Sequence, residues 1–184
     1  MRTAARWIRC GPAGPRKLHA TCAGLALAQG SRAAPLVLWA QAETPTDAEP
    51  WKDDGEQFLF ALIVPLRFAP GRRSRWCAWG LAPALATYRQ FGVRAYFDEE
   101  ALCMNGRRLC EARARMIGAC AVVASAFLPR TNRAFAEWPE RALEAAFRER
   151  VEAQHGWQFE NCWPSPAERA EIAEALSVEA AGAT

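Results

Sequence analysis

The residues best suited to chemistry lie in one ten-residue stretch, Ala101-Leu-Cys-Met-Asn-Gly-Arg-Arg-Leu-Cys110. Asn105 and Gly106 tolerate the positive φ angles of a two-residue hairpin turn, so the stretch is predicted to form two short antiparallel strands. Arg107 and Arg108 follow the turn, and the planar fork of a guanidinium group matches the oxygens of a carboxylate or phosphate. The stretch therefore predicts a hairpin that presents two cations to an anionic group.

Arginine is far more common than lysine in this chain, and the arginines cluster. The clusters are Arg72, Arg73 and Arg75; Arg107, Arg108, Arg113 and Arg115; and Arg130 and Arg133. A solvated basic surface and a site for an anionic ligand or an acidic protein both fit this pattern. The formal net charge of +3 is too small to indicate nucleic acid, and the chain has no recognisable nucleic-acid-binding motif. We therefore expect no nucleic-acid partner.

Two cysteines that flank the predicted arginine site, Cys110 and Cys120, are candidate catalytic residues. A neighbouring arginine can lower a thiol pKa and so favour the thiolate that accepts an acyl group, although most buried cysteines are small core residues. In the predicted hairpin Cys103 faces Arg108 and Cys110 faces Ala101, so the two thiols are out of register for a disulfide. The seven cysteines and two histidines show no spacing typical of a zinc site, and we predict no metal.

The overall composition predicts one folded domain. Hydrophobic residues make up 51% of the 184 residues and charged residues 23%, which are ordinary values for a globular protein. No apolar run reaches the ~18 residues that indicate a membrane span, and the first residues lack the apolar region of a signal peptide. With an odd number of scattered cysteines, these features predict a reduced, cytoplasmic protein without a membrane partner. We expect a single domain over residues 1–178 and a frayed tail over 179–184.

Apolar periodicity and turn residues predict an alternation of strands and helices. Strands are predicted in the hairpin and at residues 5–10, 35–40, 57–68, 93–97 and 119–128. Helices are predicted at 16–29, from about Pro83 to 91, at 136–154 and after Ser165, which forms a capping-box pattern with Glu168. Residues 41–55 are predicted to form a loop. This order indicates an α+β fold with a mostly antiparallel sheet flanked by helices.

Three segments resemble the catalytic domain shared by lipoate–protein ligases, octanoyltransferases and biotin–protein ligases. The first runs from Trp7-Ile-Arg-Cys-Gly-Pro12 to Ala34-Pro-Leu-Val-Leu-Trp39. The second comprises Asp54-Gly-Glu-Gln-Phe-Leu-Phe-Ala-Leu-Ile-Val-Pro65, Phe91-Gly-Val-Arg94 and Met104-Asn-Gly-Arg-Arg-Leu109. The third runs from Ala142-Leu-Glu-Ala-Ala-Phe147 to Pro164-Ser-Pro-Ala-Glu168. The resemblance implies the fold of biotin ligases and class II aminoacyl-tRNA synthetases.

The chain departs from this family at the positions that activate the acid. Active members carry an Arg-Arg-x-Ser/Thr-Gly-Gly-Gly loop after the strand that corresponds to Trp39, whereas residues 41–55 contain one glycine and no arginine. The family's hairpin lysine corresponds to Arg108, whose guanidinium is larger and is never deprotonated. Residues 111–113, Glu-Ala-Arg, replace a glycine and small residues, and Val123-Ala124 replaces a histidine-glycine pair. The resemblance therefore implies the fold and argues against the usual ligation, because such losses cost orders of magnitude in rate.

Three functions follow from these observations, and we predict no cofactor for any of them. The first, which we favour, is a non-catalytic ligase-like protein that binds a small acyl or anionic ligand or a protein partner. The second is an acyltransferase that carries an acyl thioester on Cys110 or Cys120. The third is a scaffold or subunit that completes a ligase-like complex or forms a homo-oligomer. The residues predicted to bind the ligand are Asn105, Gly106, Arg107, Arg108 and Arg113, above a floor of Phe58 and Phe60.

Overall fold

The structure is a computed structural model that describes residues 2–30, 33–43, 58–127 and 139–181. Its strands are β1 (Thr3–Arg9), β2 (Leu36–Gln41), β3 (Phe58–Pro65), β4 (Tyr96–Asp98), β5 (Ala101–Met104), β6 (Arg107–Glu111), β7 (Arg113–Ile117), β8 (Cys120–Phe127) and β9 (Trp157–Asn161). Its helices are α1 (Pro15–Ala28), α2 (Trp76–Gln90), α3 (Glu140–His155) and α4 (Pro166–Ala181). Two short 3-10 helices, Leu66–Phe68 and Arg73–Arg75, lie between β3 and α2.

The strands form two sheets. Six of them make a mixed sheet in the order β7-β8-β3-β2-β1-β9, and β4, β5 and β6 make a smaller antiparallel sheet. Strand β1 pairs in parallel with β2 and β9, whereas the other pairs of the large sheet are antiparallel. Helix α1 supplies the crossover that a parallel connection from β1 to β2 requires. The predicted α+β fold with a mostly antiparallel sheet is confirmed.

A hydrophobic core lies on each face of the large sheet. Strands β2 and β3 are buried almost throughout, and their alternate side chains point to opposite faces. One core lies beneath α1 and α4 and includes Leu25, Leu38 and Ile63. The other lies beneath α2, α3 and the small sheet, and it includes Trp39 and Phe60. The small sheet, which carries the hairpin, is therefore held on the aromatic face.

The predicted hairpin turn is present between β5 and β6. Asn105 has a φ of 51° and Gly106 a φ of 75°, which are the left-handed values that a two-residue turn of this type requires. Next to this turn the strands pair in the predicted register. The local sequence is sufficient to specify such a turn because only a few residue types tolerate two successive positive φ angles.

The register of the hairpin changes further from the turn. Cys103 faces Arg108 as predicted, but a shift follows, and Cys110 faces Leu102 rather than the predicted Ala101. One extra residue in β6 causes this shift, and such a bulge lets two consecutive residues of the strand enter the core. Both thiols of the hairpin are free, as are those of the other five cysteines.

Helix α2 begins at Trp76, well before the start that we predicted at Pro83. Pro83 lies inside the helix, where it removes one backbone hydrogen bond. The helix persists because Leu81, Ala84 and Tyr88 are fully buried against the aromatic core. The interpretation of proline as a helix start was therefore wrong at this position, since packing outweighs the local cost.

Other boundaries also differ from the predictions. Strands β7 and β9 were not predicted, and α4 continues to Ala181, past the start of the predicted frayed tail at residue 179. From residue 44 onward, the predicted loop at 41–55 lies outside the described residues, as do residues 136–138 of the predicted helix. Among the helices of the described ranges, none combines the length and the apolar character needed to cross a membrane.

Candidate functional site

Arg108 shares one face of the small sheet with a tyrosine from β4, whereas Arg107, the preceding residue of β6, points to the other face. Cys103 pairs with Tyr96 on one side and with Arg108 on the other, so the side chains of these residues share one face of the small sheet. Tyr96 Oη accepts a hydrogen bond of 3.3 Å from the amide of Gly106, which fixes the turn. We call Tyr96, Asn105, Gly106, Arg107 and Arg108 the hairpin surface.

Arg108 is exposed and only loosely paired. Its Nη1 lies 3.3 Å from Glu111 Oε2, and the two side chains are 69% and 53% exposed. An exposed pair of this kind contributes little to stability, so it does not prevent Arg108 from binding another anion. Arg107 is also exposed, and it has no acidic partner among the described residues. Ser125 Oγ donates a 3.0 Å hydrogen bond to the Glu111 carbonyl and anchors the hairpin to the large sheet.

The charges of the small sheet are separated along its strands. Its turn end, which we call the basic end, carries Arg94, Arg107 and Arg108, all exposed. At the opposite end Asp98 and Glu111 both pair with Ala101, and residues 99–100, both glutamates, connect β4 to β5. We call this group the acidic end. The small sheet therefore presents opposite charges at its two ends.

Arg113 does not join the hairpin arginines. It pairs with Ala124, whose side chain packs against the core beneath α1. Two residues further on, Arg115 Nη1 lies 2.9 Å from His19 Nε2 of α1, which places both arginines on the α1 side of the large sheet. The hairpin packs on the other side. The predicted set of three arginines is therefore divided between two faces of the protein.

The two phenylalanines predicted as a pocket floor are core residues. Phe58 and Phe60 are 2% and 0% exposed. The Phe58 ring stacks on Trp39 at a centroid distance of 5.7 Å, and the Phe60 ring lies 4.6 Å from that of Phe147. Aromatic rings thus fill the space over this part of β3, and both phenylalanines pack against protein.

One unusual polar group in this core could not be predicted from any sequence pattern. The indole of Trp39 is 1% exposed, and its Nε1 has no hydrogen-bond acceptor among the described residues. The neighbouring indole of Trp7, in contrast, donates a 2.7 Å hydrogen bond to Glu144 Oε1. Leaving a buried donor unpaired costs free energy.

The candidate nucleophiles are held as neutral thiols. Burial raises the pKa of Cys110 to about 12, and burial also raises the pKa of Cys120. In the hairpin, burial and the Asp98 carboxylate raise the pKa of Cys103, and together they outweigh the opposing effect of Arg108. A thiol with a raised pKa is a poor nucleophile at neutral pH. The described residues also contain no cluster of three or more His, Cys, Asp or Glu side chains that could hold a metal ion.

Comparison with known proteins identifies the fold but no close relative. No protein-family model matches the chain, and no curated protein matches it in sequence. Among solved structures it is similar to the bipartite lipoate protein ligase of Thermoplasma acidophilum, which was studied with its E2 lipoyl domain. The two chains are 9% identical, the match covers 95% of this chain and 92% of that one, and the TM-score is 0.76.

Two further structures agree with this result. A lipoate-protein ligase A bound with ATP has a TM-score of 0.73 at 10% identity, with 96% of this chain and 95% of that chain covered. The biotin acetyl coenzyme A carboxylase synthetase of Helicobacter pylori, with bound biotinylated ATP, has a TM-score of 0.55 at 12% identity, with 96% and 81% covered. The chain thus has the fold of lipoate and biotin protein ligases, as the sequence resemblance implied.

Proposed function

We propose that this chain is a ligase-fold binding protein that docks an acidic protein surface on the basic end of its small sheet and does not carry out ligation. The observation that carries the proposal is the exposure of Arg108 beside Tyr96, with Arg94 and Arg107 also exposed at the basic end. Arginine and tyrosine are enriched at the energetic centres of protein interfaces. The guanidinium groups of the arginines suit the carboxylates of an acidic partner.

The separation of charge on the small sheet supports a protein partner. A partner with one acidic and one basic patch would be attracted in a single orientation, because the reverse orientation places like charges together. The exposed pair of Arg108 with Glu111 lies between the two ends, and Arg94 and Arg107 are exposed at the basic end. Such a surface favours orientation and rapid association over very high affinity.

The core of the protein supports binding rather than catalysis. Phe58 and Phe60 are sealed among aromatic rings, and Cys110 is a buried, protonated thiol. The sequence resemblance assigns Arg108 to the position of the family's hairpin lysine. None of these features supplies the polarising groups or the nucleophile that acyl transfer requires. The thioester reaction considered from the sequence therefore has no support in the geometry of Cys110.

The comparisons support a carrier domain as the partner. The Thermoplasma ligase of the same fold is bipartite and was studied with its E2 lipoyl domain. A protein of this fold without ligation chemistry would still hold such a domain through surface charge. We therefore choose a lipoyl-type carrier domain with an acidic surface as the probe for this chain.

The test is a calorimetric titration of the carrier domain into the wild-type chain and into Arg108→Glu. We expect the wild type to bind, and the charge reversal to weaken binding by about tenfold or more, since it replaces attraction with repulsion at the basic end. The wild-type affinity should also fall as salt is raised, because the charges are exposed.

Arg16→Glu is the matched control, since it makes the same change in net charge on the exposed first turn of α1, on the opposite face of the large sheet. This variant should bind like the wild type. Equal weakening in both variants, or no binding by the wild type, would reject the proposed docking surface. Efficient attachment of lipoate to the carrier by the wild type would reject the non-catalytic part.

A further inference from the structure

A groove of about 440 Å³ lies between α2 and α3, and its lining includes no residue of the hairpin surface. Its apolar part consists of Ala82, Leu85 and Ala86 of α2, all half-buried. Small side chains on α2 leave room here that a larger residue would fill. The groove is open to solvent rather than enclosed, so a ligand would lie along its surface.

Two arginines line the polar part of the same groove. Arg150 Nε donates a 3.0 Å hydrogen bond to Gln90 Oε1, and Arg89 Nε donates a 3.1 Å hydrogen bond to the carbonyl of Ala95. Each bond holds its guanidinium in place through Nε and leaves the two Nη groups free to bind another acceptor. Within the described residues neither arginine has a carboxylate partner.

Helix stabilisation accounts for only one of these two cations. Arg89 lies in the last turn of α2, where a positive charge interacts favourably with the helix dipole. Arg150 lies more than one turn before the last residue of α3, His155, so the dipole gives no comparable reason for its charge. Arg89 is exposed and Arg150 is half-buried, so both guanidinium groups remain accessible to an anion that enters the groove.

We infer that this groove binds an amphiphilic anion, with its carboxylate on the guanidinium groups of Arg89 and Arg150 and its aliphatic chain over Leu85 and the alanines. A carboxylate can accept two parallel hydrogen bonds from one guanidinium fork. The aliphatic part gains by leaving water for the alanine and leucine surface. This site is independent of the docking surface proposed above, since the two share no residue.

Titration with heptanoate, followed by amide NMR shifts of the full chain, tests this inference. Heptanoate should shift the amides of α2 and α3 along the groove, whereas acetate, which lacks the chain, and 1-heptanol, which lacks the charge, should bind far more weakly. Arg150→Gln should weaken heptanoate binding by about tenfold or more, because a charge-assisted hydrogen bond is lost. Arg141→Gln, an exposed change on the same helix, should have no effect.

Two further outcomes separate this site from the hairpin. Leu85→Asn should weaken heptanoate without changing the response to acetate, and both Arg150→Gln and Leu85→Asn should keep the wild-type circular dichroism spectrum. If Arg108→Glu abolishes heptanoate binding while Arg150→Gln leaves it unchanged, the anion binds at the hairpin and the inference is wrong. Equal binding of acetate and heptanoate would also overturn it.

Discussion

His155 at the end of α3 lies between two indole rings. Its ring centroid is 4.4 Å from that of Trp79 and 4.7 Å from that of Trp157. Burial lowers the pKa of His155 to about 4, and its Nε2 has no hydrogen-bond partner among the described residues. The neutral imidazole therefore acts as an aromatic packing residue, and protonating it would place an unpaired charge between the rings.

This lowered pKa predicts acid sensitivity. The unfolded chain binds a proton at His155 near pH 6.5, whereas the folded chain binds it only near pH 4. The contribution of the neutral ring to the free energy of unfolding is therefore fully present above pH 6.5 and is lost as the pH falls toward 4. The loss is on the order of 2–3 kcal/mol. His155→Phe keeps an aromatic ring and removes the proton, so urea unfolding of this variant should show a smaller decrease between pH 7 and pH 4.5.

The exposed His19 provides the control for this measurement. His19→Gln should retain the decrease attributed to His155, because His19 contacts Glu179 and Arg115 and takes no part in the packing of His155 between Trp79 and Trp157. An identical decrease in wild type and His155→Phe would show that carboxylates alone set the acid response, and would contradict the role given to His155.

Single residues differ in how far their environment can be predicted from sequence. Asn105 and Gly106 were predicted correctly because the turn depends on their own φ angles. Phe58 and Phe60 were placed on a strand correctly. The burial of Phe60, however, depends on Phe147, which lies far away in the chain on helix α3. A strand pattern gives the alternation of faces and does not say whether a ligand or a protein ring covers each face.

At the scale of elements, the start of α4 illustrates how local and distant contacts combine. Ser165 and Glu168 form the predicted capping box, with hydrogen bonds of 2.7 Å and 3.2 Å between side chain and amide in each direction. Glu168 also pairs with Arg6 of β1. Burial alone would raise the pKa of Glu168, but the hydrogen bonds from Arg6 and Ser165 outweigh burial and lower it. The cap was readable from sequence, whereas the pairing with Arg6 was not.

The crossing of α1 and α4 depends on Gly24. A Cβ atom at this position would lie 2.5 Å from the Cα of Ile172, which is backbone and cannot move alone. Gly24→Ala should therefore lower the free energy of unfolding by about 1–3 kcal/mol, because overpacking outweighs the better helix propensity of alanine. Chemical unfolding measures the change. Gly30→Ala, where nothing lies within 4 Å, should have little effect.

A gain in stability from Gly24→Ala would mean that α4 is free to move away from α1, contrary to their close packing.

The edge strands of the large sheet could not be predicted from local sequence. β7 contains Arg113 and Arg115 between smaller side chains, and β9 is a five-residue edge strand. Their pairing partners, β8 and β1, supply most of the information that makes them strands.

At the scale of the whole molecule, the fold has the layers of lipoate and biotin protein ligases. The small sheet, α2 and α3 cover one face of the large sheet, and this arrangement holds the hairpin against that face. The space between these elements and the large sheet is filled by an aromatic core. That order of elements could be predicted because the resemblance extends along most of the chain. The filling of the core could not, because side chains from Trp39, Phe127 and Phe147 meet only in the folded protein.

This arrangement predicts that restoring one catalytic group is not sufficient. Arg108→Lys introduces a lysine at the position that the sequence resemblance assigns to the family lysine. The resemblance also places Val123-Ala124 where the family has histidine-glycine, residues 41–55 contain no glycine-rich run, and Phe60 remains buried beneath Phe147. Because groups that act together in one site contribute non-additively, the variant should attach no lipoate to a carrier domain in the presence of ATP. Intact mass spectrometry of the carrier measures attachment, with the Thermoplasma bipartite ligase as the positive control. Attachment by Arg108→Lys above the wild-type background would show instead that a single substitution had silenced a competent ligase site.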